Sequence, residues 1–109
     1  MKIKSKIWIE TNEGVLISEG RVKLLKLIAQ TGSLNKAAKA MNLSYQKAWK
    51  LVDTANKAAQ KPLIATQVGG NKGGGTVLTP YGQSLIDAFE AINTDCWKFL
   101  DSELKKYTL

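Results

Sequence analysis

The amino-acid sequence predicts an α+β fold, mainly α, and three observations carry the expectation. Residues 33–60 hold two apolar stripes at helical spacing, each opened by a capping serine, Ser33 and Ser44, whose hydroxyl can accept from a free N–H of the first turn. Residues 63–78 hold two short β-prone runs on either side of the loop Gly69-Gly70-Asn71-Lys72-Gly73-Gly74-Gly75. From Thr79-Pro80, a cap followed by proline at the first helical position, Leu85, Phe89, Ile92, Cys96 and Phe99 recur at 4-3-4-3 spacing.

Taken in chain order, Ile3, Ser5, Ile7 and Ile9 alternate with Lys4, Lys6 and Trp8, which is the period of a strand. Thr11-Asn12-Glu13-Gly14 is turn chemistry, and Val15-Leu16-Ile17 makes the returning arm of an N-terminal β-hairpin. Ser18 caps a helix over about residues 19–31, in which Val22, Leu25, Ile28 and Ala29 share one face and Leu24 and Leu27 widen it. A stripe that broad belongs to a central core helix, and Gly32 ends it. The next helix places Leu34, Ala37, Ala38 and Met41 on one side, and the one after it Ala48, Leu51, Val52 and Ala55. These buried residues are mostly small, so two helices joined by a tight turn can cross closely and expose the rest of their surface. The second runs to about Gln60, and Pro62 stops it.

Leu63 to Val68 reads as a strand and Thr76-Val77-Leu78 as its partner. Leu100, Leu104 and Tyr107 then extend the apolar side of the last helix, over residues 80–106. Such a helix spans roughly 40 Å, more than a domain of this size can cover, so its far end is expected to pair with a second copy. The order is that of a winged helix-turn-helix with an N-terminal β-hairpin: helix-turn-helix 33–60, wing 63–78 and dimerisation helix 80–106, in a single domain over 1–109.

Composition narrows the function. The 109 residues carry a net charge of +7, distributed as 0 over residues 1–20, +9 over 21–77 and −2 over 78–109. The basic charge therefore sits on the helix-turn-helix and wing, where a nucleic-acid backbone would lie. No apolar run approaches the roughly 18 residues of a membrane span, and the N-terminus lacks the apolar core of a secretory signal, so a cytoplasmic protein is expected. One cysteine and no histidine exclude a Cys/His zinc site within the chain. Cys96 falls on the apolar seam with no nearby base, and no nucleotide-binding glycine motif is satisfied. The chain is expected not to be an enzyme and to need no cofactor.

At about 100° per residue, Gln46 and Lys50 point farthest from the apolar stripe of the second helix, with Lys47 and Thr54 beside them. Gln suits the N6/N7 edge of adenine and Lys the O6/N7 edge of guanine in the major groove. Ser44 and Tyr45 open the helix, the end that enters a groove deepest. For Ser44 a cap alone and a phosphate contact are both open, and for Tyr45 packing and contact are both open. Trp49 flanks the stripe and reads as a packing residue, while Asp53 reads as orienting a lysine. In the wing, Asn71 and Lys72 sit among glycines whose bare backbone can approach a sugar-phosphate chain. Double-stranded DNA is the expected partner; the alternative is a protein-interaction adaptor whose basic face meets an acidic partner.

The runs Gly-Ser-Leu-Asn-Lys-Ala-Ala-Lys-Ala-Met-Asn-Leu-Ser-Tyr-Gln-Lys-Ala-Trp at 32–49 and Gly-Gly-Asn-Lys-Gly-Gly-Gly-Thr-Val-Leu-Thr-Pro-Tyr-Gly at 69–82 resemble the amino-terminal DNA-binding domain of the bacterial molybdate-responsive transcriptional regulators, ModE, a relative of the LysR-type domain. The similarity covers about residues 18–92. It implies a homodimeric winged-helix regulator with recognition on Ser44, Tyr45 and Lys47. Family members that sense molybdate do so in carboxy-terminal domains, which would begin where this sequence stops at Leu109, so molybdate is not expected to bind this chain by itself.

Overall fold

Local signals place the caps and the packing of small residues arranges the helices around them. In the structure, a computed structural model that describes residues 1–67 and 75–109, the order is β1 (Trp8–Thr11), β2 (Gly14–Ser18), α1 (Glu19–Thr31), α2 (Leu34–Ala40), α3 (Tyr45–Ala58), β3 (Ile64–Gln67), β4 (Gly75–Leu78) and α4 (Pro80–Leu104). This is the α+β, mainly helical, winged helix-turn-helix order, with the N-terminal hairpin and the long C-terminal helix. No described helix is long and apolar enough to cross a membrane.

The capping residues act as their chemistry requires. Ser18, Ser33, Ser44 and Thr79 each accept from the backbone N–H three residues on, satisfying a donor that the helix itself leaves free. Gly32 ends α1 at φ 68°, a left-handed conformation that costs glycine little. The turn between α2 and α3 uses a residue the sequence did not single out. Asn42 takes φ 56°, and the flanking Leu43 N–H bonds the Ala38 carbonyl at 2.9 Å while Asn42 N–H bonds the Lys39 carbonyl at 3.1 Å. That pair of bonds closes α2 in a Schellman arrangement, with asparagine in place of the usual glycine.

Helix α1 stands between two apolar clusters, which is why its stripe is broad. Val22 and Leu25 pack with Leu16, Ile17, Leu63, Ile86 and Phe89, while Leu24 and Ile28 pack with Leu34, Ala37, Ala38, Ala48 and Val52. Helix α3 contributes to both, through Ala55 and Ala58 on one side and Ala48 and Val52 on the other.

Two expectations need correction. The alternation at residues 3–9 does not make a strand of that length: β1 begins only at Trp8, because Trp8 already opposes Ser18, the last residue of β2 before α1 begins. With no strand left to bond, residues 1–7 have no ladder. The alternation survives as burial, with Ser5, Ile7 and Ile9 half-covered, and the Ser5 hydroxyl lies 3.8 Å from Cys96 Sγ on α4. The second correction concerns Phe89, expected on a seam between subunits. At 2% exposure it belongs to the core of its own chain, because the first turns of α4 pack against β2 and Leu63.

The wing is tied down at its base. Strands β3 and β4 pair antiparallel from Ile64↔Leu78 to Gln67↔Gly75, and Thr76 N–H bonds the Gly32 carbonyl at 2.9 Å, joining the wing to the end of α1. Thr79 donates its hydroxyl to the Pro62 carbonyl at 2.7 Å and its N–H to the Leu63 carbonyl at 3.0 Å. One turn on, a Cβ at Gly82 would collide with the Leu63 carbonyl and stand 2.7 Å from Leu78 Cδ1. Gly82→Ala is therefore expected to destabilise the fold by about 1–3 kcal/mol. In a thermal melt followed by circular dichroism, that loss lowers Tm by roughly 5–20 °C.

Candidate nucleic-acid interface

Because α3 hides alanines and valine, its outer side is made entirely of larger polar and aromatic groups. Ser44, Tyr45, Gln46, Lys47 and Lys50 are all exposed, so the five sequence-predicted residues of this helix form one continuous surface at its N-terminal half. The Ser44 hydroxyl accepts from Lys47 N–H at 3.1 Å, which holds the helix start in place while leaving the residue open to solvent. Tyr45 is 52% exposed and stands out from the core instead of sealing it. Thr54, expected beside the ligand-facing residues, turns back and donates to the Lys50 carbonyl at 2.5 Å. Asp53 bonds Lys57 at 3.0 Å, the lysine-orienting role expected of it.

Trp49 departs from its expectation. It is 51% exposed and packs no core position, so the packing role read from its place beside the stripe is corrected. The reason lies outside the helix. The first hairpin lies along this side of α3 but does not close over the indole; its Thr11 hydroxyl donates to the Ala58 carbonyl at 3.0 Å and so anchors the turn against the far end of the helix. Between that turn and the helix runs an open groove of about 580 Å³, lined by Glu13 of the hairpin and by Tyr45, Gln46, Trp49, Lys50, Asp53, Thr54 and Lys57. Sequence reading missed Glu13 altogether, since nothing local links a turn residue to a helix some thirty positions away. The Tyr45–Trp49 spacing of four was visible and marks two aromatics on one helical face.

Asn71 and Lys72, the wing residues expected from sequence to meet DNA, lie outside the described residues. The described part of the wing is the strand pair β3 and β4.

On α4, Leu85 is half-buried against the first cluster with Phe89 beyond it, whereas Ile92 is 50% and Phe99 61% exposed. Cys96 is half-covered by the N-terminal segment. The helix thus divides into an N-terminal part packed on its own chain and a C-terminal part with uncovered apolar side chains, Tyr107 and Leu109 continuing it.

The chain is similar to known bacterial regulatory proteins. Residues 20–83 match the bacterial regulatory helix-turn-helix proteins of the lysR family. The chain is 40% identical over 93 residues to the molybdenum transport protein ModE of Azotobacter vinelandii, covering 85% of this chain and 34% of that protein. It is 39% identical over 84 residues to the transcriptional regulator ModE of Haemophilus influenzae, covering 77% and 33%. To the molybdenum-pterin-binding protein MopB of Rhodobacter capsulatus it is 41% identical over 96 residues, covering 88% and 36%. The chain therefore spans about a third of the length of the curated relatives it matches.

The Ser44 cap can be tested apart from any ligand. Ser44→Ala is expected to cost about 1 kcal/mol, read as a lowered urea midpoint at unchanged slope, and Ser44→Asp is expected to recover most of it.

Proposed function

The chain belongs to the lysR family of bacterial regulatory helix-turn-helix proteins, and from that premise we propose that it is a DNA-binding transcriptional regulator acting in the cytoplasm as a homodimer. The observation that carries the reading is the uninterrupted exposure of Ser44, Tyr45, Gln46, Lys47 and Lys50 on a helix whose buried side is alanine and valine. Such a helix lies in the major groove with its first turns deepest, Gln46 and Lys50 meeting base edges and Lys47 the backbone. The wing is fixed to the end of α1 through Gly32, and Asn71 and Lys72 are proposed to grip the flanking phosphates. The charge of +9 over residues 21–77 supplies the attraction.

The pairing surface is proposed to be the C-terminal part of α4, where Ile92, Phe99 and the half-covered Cys96 follow the seam, whereas Phe89 and the half-buried Leu85 before it pack on their own chain. Two copies joined there would present two recognition helices to half-sites roughly 34–36 Å apart, on a palindrome. The matched relatives carry names that refer to molybdenum. Molybdate is not proposed as a ligand of residues 1–109, and no catalytic step is proposed for them.

A gel shift on random duplex at low salt is expected to show binding; failure to shift any duplex would favour the adaptor with an acidic partner. Lys47→Ala and Lys72→Ala are each expected to lower the slope of log K against log salt by about 0.9 for every phosphate the variant no longer neutralises. Sedimentation is expected to give twice 11.9 kDa, and Phe99→Glu to return the mass to that of one chain. A single-chain mass for the unmutated protein at micromolar concentration would overturn the homodimer.

A further inference from the structure

The groove beside α3 is unlike the rest of the basic face, and its difference says what fills it. Its charged groups are Lys50 and Lys57 against Glu13 and Asp53, two of each sign, beside a segment of +9. Lys57 is already engaged by Asp53 at 3.0 Å, and Glu13 brings a carboxylate in from the hairpin. A phosphate gains little in a neutral groove with an acid on its wall. What the groove offers instead is two aromatic side chains four residues apart, each about half-exposed, next to Gln46 and Lys50. An α3 lying in the major groove meets one apolar group on the base edges, the C5-methyl of thymine.

We infer that Tyr45 and Trp49 form an apolar ledge that takes a thymine methyl group, making Trp49 a specificity-determining residue alongside Gln46 and Lys50. The inference rests on the proposed DNA-binding function. Trp49 reads a methyl, and Gln46 and Lys50 read hydrogen-bonding edges, so neighbouring residues of one helix discriminate by different chemistry. Glu13 sharpens the arrangement by keeping backbone phosphates off the ledge.

The test uses the 109-residue chain and a duplex selected by it from random DNA, prepared once with thymine and once with uracil throughout, then with single thymines restored. For the unmutated protein, uracil is expected to weaken binding about fourfold for each methyl contacted, with recovery concentrated at one position per half-site. Trp49→Ala is expected to bind the thymine and uracil duplexes equally, with the salt slope of the unmutated protein. Tyr45→Ala, compared in the same way and checked by thermal melting, serves should Trp49→Ala fail to fold. Equal binding of both duplexes by the unmutated protein, or the same thymine preference in Trp49→Ala or Tyr45→Ala as in the unmutated protein, would overturn the ledge and leave the regulator standing. Failure to select or bind any duplex would overturn both.

Discussion

Close approach of helices through alanine is the constraint on which the rest depends. Ala37, Ala38 and Ala48 have no exposed surface, and they occupy the places where α2, α3 and α1 meet. A methyl group at each of these points lets helix surfaces pack at native density with little intervening side chain. The volume of the domain then comes from the larger residues of α1, β2 and α4, among them Leu24, Leu25, Ile28, Ile17 and Phe89. Because α3 gives the interior only alanine methyl groups, Val52 and the partly buried Leu51, the long polar and aromatic side chains of its N-terminal half are left to point outward.

That outward surface is oriented by polar interactions of modest individual strength. Serine caps fix where α2 and α3 begin, and an asparagine in the left-handed conformation sets the angle between them. Among the described residues the wing is held to α1 by a backbone bond, Thr76 to Gly32, and to the start of α4 by the threonine that caps that helix. Thr79 is thus at once a cap and a brace, and Gly82 leaves room for the chain beneath it. Each such bond contributes about 1 kcal/mol net, so their value lies in direction more than in total stability.

The first hairpin has a part that its size conceals. It supplies Leu16 and Ile17 to the core, and its turn leans on the end of α3, where Thr11 reaches the Ala58 carbonyl. Anchored there, it leaves Trp49 without a cover and walls the groove that Trp49 lines. A residue that helical periodicity assigns to packing becomes surface because a distant segment has taken a different position. The same logic moves Phe89, which the seam pattern assigns to a partner and the fold assigns to itself.

Most of this fold was legible without coordinates because its signals are local. A serine before an apolar stripe, a glycine after one, and Thr-Pro ahead of a long apolar periodicity each act within one helical turn, so residues 18–32, 33–58 and 79–104 could be read directly. The outward direction of Gln46, Lys47 and Lys50 followed from the same periodicity. What periodicity could not supply is which of two apolar neighbours meets another part of the chain. The pattern that placed Phe89 with Phe99 is one pattern, yet α4 leaves the body of the domain between them, and only the packing of β2 and Leu63 decides where. Strand pairing is non-local for the same reason: the alternation of residues 3–9 is real, but a ladder ends where its partner ends, at Ser18. Helix caps are written in neighbouring residues, whereas exposure is a property of everything that folds back against them.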